Sequence, residues 1–215
     1  MKDKSQNYQT EQEKFWAGEF GTDYIDRNKG EKLLASNLNF FNKALMNAGN
    51  ISSCIEFGAN IGMNLRALQL LYPKIKLNGI EINEDASYEL KGLIGKDNVF
   101  IESIFDYTTK ETFDLSLIKG VLIHINPEKL KTVYQKLYDS THRYILLCEY
   151  YNPSPVTISY RGHKNRLFKR DFAGEMLDLY PDLTLVDYGF SYHRDIAFPQ
   201  DDITWFLLQK EQLND

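Results

Sequence analysis

The chain has 215 residues, of which 43% are hydrophobic and 26% are charged, and its formal net charge at pH 7 is -5. This composition is typical of a globular protein and argues against a disordered or fibrous one, while the acidic balance argues against a dedicated nucleic-acid-binding protein. Both cysteines lie inside apolar runs, residues 1–12 are polar, and no run approaches the roughly 20 apolar residues that span a bilayer. We therefore expect a cytoplasmic protein that is neither secreted nor inserted in a membrane.

The first fifty residues contain one predicted helix and no strand pattern. Leu34, Leu38, Phe41 and Leu45 recur at helical spacing, and a Gly-Asn pair ends the pattern. We expect residues 1–50 to form a helical cap, or lid, over one catalytic domain that comprises residues 51–215.

From residue 51 onward, short apolar runs alternate with amphipathic segments, which is typical of a parallel sheet covered by helices on both faces. Strands are predicted at 53–57, 77–82, 98–102, 113–118 and 144–148. Helices are predicted at 63–72 and 85–94, and a third is predicted to begin at Asn126-Pro127.

The last third of the chain departs from this alternation. Residues 151–168 are predicted to form an irregular loop of functional length, followed by a helix at 169–180. Segments 183–190 and 203–209 have no helix between them, so we expect an antiparallel hairpin at the edge of the sheet. The whole pattern predicts a Rossmann-like α/β fold with a seven-stranded, mostly parallel sheet.

A glycine-rich turn, with the sequence EFGANIG, follows the first strand at residues 56–62. Glycines let the backbone turn tightly and approach a ligand, and the helix that follows offers unpaired N–H groups. The turn lacks the third glycine of a dinucleotide fingerprint, and Glu56 suits a ligand that carries an ammonium or sulfonium better than a phosphate. A purely structural strand-to-helix turn is the alternative interpretation.

Glu81 stands at the end of the second predicted strand. A carboxylate at this point of an open α/β sheet can accept two hydrogen bonds from a ribose diol. Taken together, the glycine turn and this acid predict a cofactor that contains a nucleoside.

This arrangement resembles the class I S-adenosylmethionine-dependent methyltransferases. The resemblance implies that the turn faces the methionine part of S-adenosylmethionine, that the acid after the second strand binds ribose, and that the segment after the third strand holds adenine. Ser103 stands where that segment often carries an acidic residue, and residues 119–124 are similar to the family's segment along the methionine part. The cofactor contacts implied in the catalytic domain are Glu56, Gly58, Asn60, Gly62, Glu81, Ile82, Ser103, Ile104 and Lys119.

A narrower resemblance covers almost the whole chain. Five segments are similar to the methylases associated with pseudaminic acid biosynthesis, namely residues 15–21, 24–28, 160–163, 167–172 and 198–205. This resemblance implies a substrate from a nonulosonic-acid or surface-glycan pathway.

The loop at 151–168 and the residues just after it concentrate positive charge in an otherwise acidic protein. Because guanidinium groups suit carboxylates and phosphates, this charge predicts a small anionic substrate. The alternative is a solvated loop whose basic residues pair with Glu175 and Asp178. The predicted substrate contacts are Tyr150, Tyr160, Arg161, Arg166 and Arg170.

Methyl transfer to a hydroxyl requires an aligned acceptor and removal of a proton. His124 and His163 are the candidate bases because histidine titrates near neutral pH, and Glu149 is the next candidate. In the cap, Tyr24 and Arg27 could fold over the cofactor, and Arg27 could pair with the carboxylate of the cofactor.

Two other classes share parts of this pattern. A nicotinamide-dependent oxidoreductase would have the same turn and ribose acid, and a binding module without catalysis could have the same fold. The missing third glycine and the antiparallel hairpin argue against the first, and the polar and basic groups near the predicted crevice argue against the second. No metal site is predicted, since the four histidines are scattered and no C-x-x-C motif occurs.

Overall fold

The computed structural model describes residues 8–25, 28–160 and 163–211. Three helices come first, and strands and helices then alternate before a final antiparallel pair. The helices are α1 (Glu11–Ala17), α2 (Glu19–Ile25), α3 (Glu31–Ala44), α4 (Met63–Leu71), α5 (Glu84–Ile94), α6 (Leu130–Asp139) and α7 (Phe172–Leu179). The strands are β1 (Ser53–Phe57), β2 (Lys76–Ile80), β3 (Val99–Phe100), β4 (Phe113–Lys119), β5 (Thr141–Glu149), β6 (Val156–Tyr160), β7 (His163–Lys169), β8 (Leu183–Ser191) and β9 (Ile203–Lys210).

Seven strands form one sheet in the order β3-β2-β1-β4-β5-β9-β8. The first five strands are parallel, and β9 runs antiparallel to both of its neighbours. The predicted mostly parallel sheet with a C-terminal antiparallel pair is therefore confirmed.

Helices cover both faces of the sheet, as predicted. Alternate residues of β1 point to opposite sides, so Cys54 packs in one buried cluster while Ile55 and Phe57 pack in the other. The Cys54 side is covered by α3, α4 and α5, and the Ile55 side by α6 and α7. Burial on both faces explains why the strands appear in the sequence as short continuous apolar runs.

The chain turns from one half of the sheet to the other at β1. It passes from β1 to β2 and β3 on one side, and returns to β4 and β5 on the other. In open α/β sheets this switch leaves a crevice at the carboxyl ends of the strands, where ligands bind.

The prediction of an irregular loop at residues 151–168 is wrong. Strands β6 and β7 form an antiparallel hairpin there, with Val156 opposite Lys169 and Thr157 opposite Phe168. Leu167 and Phe168 are buried, which anchors the hairpin to the rest of the protein. The predicted start of the following helix at Lys169 is also wrong, because β7 continues to that residue and Asp171 caps α7 by accepting a hydrogen bond from the Gly174 N–H.

Two further differences lie in the first half of the chain. The cap contains α1 and α2 in addition to the helix predicted from the leucine stripe. Strand β3 has two residues instead of five because, as the edge strand, it pairs only with Gly79 and Ile80 of β2. No helix within residues 8–25, 28–160 and 163–211 is long and apolar enough to cross a membrane.

Candidate functional site

A cavity of about 430 Å³ lies between the cap and the carboxyl ends of β1, β2 and β4. The topological switch of the sheet is at the same place, which is where an α/β fold binds its ligand. Glu56 and Gly62 do not reach the cavity wall, and Arg27 lies outside the described residues. The wall contains the other predicted cofactor contacts, namely Tyr24, Gly58, Asn60, Glu81, Ile82, Ser103, Ile104 and Lys119.

The glycine turn after β1 forms one side of this cavity. Gly58, Asn60 and Gly62 all have positive φ angles, of 76°, 50° and 84°. A Cβ atom at Gly58 would lie 2.7 Å from Cγ2 of Val121, so this position requires glycine for packing as well as for backbone conformation. The tight turn thus brings the backbone after β1 against the segment after β4.

Glu81 holds the turn in place. Its carboxylate accepts hydrogen bonds from the backbone N–H of Asn60 and from that of Asn83, both across 2.7 Å. Burial raises the pKa of Glu81, and these hydrogen bonds oppose the shift. Each carboxylate oxygen can accept more than one hydrogen bond, so Glu81 can serve the turn and a diol ligand together.

Glu56 lies buried beneath the cavity. One of its oxygens accepts a hydrogen bond from the Asn64 side chain across 2.6 Å, and the other has no hydrogen-bond partner in the described part of the chain. Burial raises the pKa of Glu56 to about 8, an effect that Lys119 opposes. A positively charged ligand group near this floor would lower the pKa of Glu56 again and be stabilised by the ionised carboxylate.

The cavity wall after β3 is joined to the cap. Ser103 donates a short hydrogen bond to Oε1 of Glu13 in α1 and accepts one from the Phe105 N–H across 3.1 Å. The other oxygen of Glu13 accepts hydrogen bonds from Thr10, which caps α1. Glu13 is not among the residues predicted from the sequence, although its spacing from Thr10 matches the capping-box signature of a helix start.

Other wall residues also have no counterpart among the predicted contacts. Glu102 stands two residues after β3, and Gln200 stands three residues before β9. The Gln200 amide donates a hydrogen bond to the Asn37 side chain in α3 across 3.0 Å, which joins the end of the sheet to the cap. No local signal in the sequence identifies this pair, because its members are distant in the chain.

His124 lies on the cavity wall, in a short helical turn after β4. Its Nδ1 is 2.6 Å from the backbone carbonyl oxygen of Arg166 in the β6–β7 hairpin. Because a carbonyl can only accept, Nδ1 carries a hydrogen, and the acceptor nitrogen of the neutral ring is Nε2. Burial lowers the pKa of His124 to about 4, so the ring is neutral at pH 7. The Trp16 ring centroid is 4.8 Å from that of His124, which places the cap directly beside it.

Glu149, at the end of β5, supports this turn and does not line the cavity. Its carboxylate accepts hydrogen bonds from the backbone N–H groups of Val121, Leu122 and Ile123 at 3.0, 2.9 and 3.4 Å. Burial raises the pKa of Glu149 to about 7, against the lowering effect of those bonds. Its position suits holding the segment that carries His124.

Two of the predicted substrate-binding arginines are engaged in ion pairs. Arg166 contacts Glu11 of α1 across 3.1 Å and lies 5.5 Å from the Phe15 ring centroid. Arg170 contacts Glu175 across 2.6 Å, which is the pairing that the solvated-loop alternative describes. Neither arginine lines the cavity.

The remaining predicted substrate residues are only partly described. Tyr150 lines the cavity, and Nζ of Lys169 lies 5.0 Å from its ring centroid. Arg161 lies outside the described residues, and only the backbones of Tyr160 and His163 are described, at the hairpin's turn. No group of three or more histidine, cysteine or acidic side chains suited to a metal ion occurs in the described residues.

Several solved structures with a similar fold are methyltransferases. The plantazolicin methyltransferase BpumL in complex with SAH is 14% identical to this chain, with a TM-score of 0.64 and coverage of 94% of both chains. Burkholderia thailandensis 1,6-didemethyltoxoflavin-N1-methyltransferase is 14% identical, with a TM-score of 0.66 and coverage of 90% of this chain and 86% of that one. Magnesium protoporphyrin IX methyltransferase (ChlM) from Synechocystis PCC 6803, with bound SAM, is 12% identical, with a TM-score of 0.64 and coverage of 95% and 100%.

No protein-family model matches the sequence, and no curated protein matches it. At these identities the structural matches show the fold alone, which is that of the S-adenosylmethionine-dependent methyltransferases. The predicted Rossmann-like class I methyltransferase fold is confirmed.

Proposed function

We propose that this protein is an S-adenosylmethionine-dependent methyltransferase that acts on a small-molecule acceptor. The observation that carries the proposal is the buried Glu81 carboxylate, which is hydrogen bonded to the left-handed glycine turn and faces a cavity at the switch point of the sheet. The same fold in methyltransferases whose structures contain SAM or SAH supports this assignment.

The residues on and beneath the cavity wall offer groups that suit the parts of this cofactor. Glu81 would bind the ribose diol, the wall at Ser103 and Ile104 would face adenine, and Lys119 offers a cation to the methionine carboxylate. Buried beneath the turn, Glu56 would stabilise the positive charge of the amino acid part. When bound, S-adenosylmethionine supplies a methyl group already activated by its sulfonium.

The chain's own residues would then position the acceptor and receive its proton. His124 is neutral, and its Nε2 can accept the hydrogen of a hydroxyl or amine. Its low pKa makes it a weak base, so it would orient the acceptor and take up the proton as methylation makes that proton acidic. Trp16 and Tyr24 on the cap side of the cavity would exclude water.

The test of this function is cofactor binding measured by calorimetry. We expect S-adenosylhomocysteine to bind in the micromolar range and NAD to bind far more weakly. Replacing Glu81 by alanine removes a charged contact worth about 1.5–3 kcal/mol, so affinity should fall roughly tenfold or more. Glu19→Ala, on the exposed surface of α2, is the control and should leave affinity unchanged. Preference for NAD would overturn the proposal.

For the acceptor, we propose a small anionic sugar or nucleotide sugar of a surface-glycan pathway. Support comes from the resemblance to the pseudaminic acid methylases and from the Lys169 ammonium, which lies beside the ring of Tyr150 on the cavity wall. Arg161, which lies outside the described residues, remains a predicted contact for an anionic acceptor.

A panel of nucleotide sugars and acidic sugars, assayed by methyl transfer, would test the acceptor. Arg161→Glu should raise KM for the acceptor and leave cofactor affinity unchanged. Lys74→Glu makes the same charge change on the exposed opposite edge of the sheet and should alter neither quantity. Equal KM values for neutral and anionic acceptors would contradict this finer proposal.

A further inference from the structure

We propose that Glu13, which the cap contributes through α1, is the carboxylate that recognises the exocyclic amino group of adenine. The inference rests on the proposed cofactor and adds a specificity-determining residue to its site. The segment after β3 has Ser103 where related methyltransferases often have an acid, and Ser103 is the residue that Glu13 contacts.

The position of Glu13 is unusual for an acid on a short helix. It belongs to the first turn of α1, yet it is only 8% exposed and lies on the cavity wall beside Ser103 and Phe105. A glutamate on such a helix would ordinarily face solvent. Its burial needs compensating contacts, and these are supplied by Thr10 and Ser103.

One oxygen of Glu13 has hydrogen-bonding capacity left for a ligand. Oε2 accepts from the backbone N–H of Thr10 at 2.7 Å and from its hydroxyl at 3.3 Å, so this oxygen is occupied. Within the described part of the chain Oε1 accepts from the Ser103 hydroxyl alone, and a carboxylate oxygen has capacity for a second donor. The Ser103 hydroxyl already donates to Glu13 and accepts from the Phe105 N–H, so the oxygen of Glu13 is the better acceptor for a ligand.

The wall is acidic beside Ser103. Glu13 contacts Ser103 and Glu102 adjoins it in the chain, while the one lysine or arginine among the described residues that line the cavity is Lys119, which the methionine carboxylate of the proposed cofactor would engage. Such a wall suits a group that donates hydrogen bonds, as the adenine amine does, and disfavours a carbonyl oxygen at the same position. The capping interaction with Thr10 fixes the Glu13 side chain before any ligand arrives, which lowers the entropic cost of binding.

The experiment compares S-adenosylhomocysteine with S-inosylhomocysteine, in which an oxygen replaces the amino group, by calorimetry on the full chain. The wild-type protein should prefer the adenosine compound by roughly tenfold or more. In Glu13→Gln the side chain keeps its shape but presents an amide that can donate to the inosine oxygen. The preference should therefore fall to within about threefold of unity.

Two matched variants separate this role from a structural one. Glu102→Gln makes the same change on the same wall, and Thr10→Ala loosens the start of α1 while keeping the Glu13 carboxylate. Both should retain the tenfold preference even if affinity for the two compounds falls equally. An unchanged preference in Glu13→Gln, or its loss in Glu102→Gln alone, would overturn the inference while leaving the cofactor assignment intact. Failure of the wild-type protein to bind S-adenosylhomocysteine would instead refute the proposed function and this inference with it.

Discussion

The two sides of the cavity are built in different ways. The strand-end side, formed by the glycine turn and Glu81, is held by bonds between residues that are 2 and 21 positions apart. The cap side is held by single side-chain contacts across much longer separations, 90 positions for Ser103 to Glu13 and 155 for Arg166 to Glu11. The strand-end side is thus a property of the sheet, whereas the cap side depends on tertiary docking.

This difference predicts that substitutions on the two sides of the cavity have different effects. The part of a ligand that binds the strand-end side meets a preformed backbone surface. The part that binds the cap side meets side chains whose alignment depends on how the cap and the hairpin dock. Substitutions on the first side should therefore affect folding and cofactor affinity together. Those on the second should affect turnover and selectivity with little change in stability.

The largest effect should come from His124. With an acceptor identified from the nucleotide-sugar and acidic-sugar panel, we expect His124→Asn to lower turnover by about 10²-fold or more. The reason is that the variant loses the group that would orient the acceptor and receive its proton. Cofactor affinity should stay intact. Since the pKa of His124 is about 4, wild-type turnover should show no inflection from this residue between pH 6 and 9. His163→Asn is the matched control from the hairpin, and a larger loss there would transfer the role to His163.

The next effect concerns the strand-end side. Gly58→Ala forces a side chain into a left-handed conformation and against Val121, so we expect a loss of about 2–4 kcal/mol in the free energy of unfolding. Cofactor affinity should fall in the same variant. Gly92→Ala, at an exposed site in α5 where a Cβ meets nothing within 4 Å, should instead stabilise the protein by about 0.5–1 kcal/mol. Urea unfolding measures both, and equal effects would refute the proposed role of the turn.

A smaller effect should appear in the dependence of stability on pH. Burial raises the pKa values of Glu56 and Glu149 from 4.5 to about 8 and about 7, so the folded state holds these protons more tightly than the unfolded chain does. The contribution of these two groups to the free energy of unfolding is complete below pH 4.5. It is lost as the pH rises through 7 and 8, at up to about 1.4 kcal/mol per pH unit for each group. Glu56→Gln should flatten this slope between pH 5 and 8, and Glu19→Gln should not.

The smallest effect on stability should come from the contact between cap and hairpin. The Glu11 side chain is 84% exposed, so Arg166→Met should cost only about 0–1 kcal/mol. The cap should nevertheless open more often, which quenching of Trp16 fluorescence by acrylamide can detect in a Trp205→Phe background. Quenching that is identical with and without Arg166 would show that the ion pair does not hold the cap.

The difference between local and long-range contacts also explains how much of the structure could be predicted from the sequence. The sheet and the glycine turn could be predicted because buried strands such as β4 and β5 appear as apolar runs, and because a turn with left-handed residues requires glycines. The β6–β7 hairpin was missed because its second strand begins with four polar residues, and only Leu167 and Phe168 are buried. Helices α1 and α2 were missed because Gly18 interrupts them and each has only seven residues.

Local signals predicted Glu81 and His124, which lie on the cavity wall, but not the partners that they contact. Nothing in the sequence near Ser103 indicates Glu13, and nothing near His124 indicates that residue 166 binds its Nδ1. The same limit applies to the basic residues of the hairpin, whose substrate contacts stay predictions. Arg166 and Arg170 formed a convincing anion-binding pattern in the sequence, but Glu11 and Glu175 engage them in the folded chain.

The hairpin departs from the fold and returns to it at nearly the same point, since Tyr151 forms a parallel bridge with Arg170 at its base. Its contact with His124 is made by a backbone carbonyl, which every amino acid at position 166 would supply. Apart from the buried Leu167 and Phe168, the segment between these anchors can therefore accumulate substitutions without altering the sheet or the tautomer of the histidine. Under the proposed function, such a module would let acceptor preference diverge among descendants of this protein while the cofactor chemistry is inherited intact, and exchanging the hairpin would be a starting point for changing that preference in the laboratory.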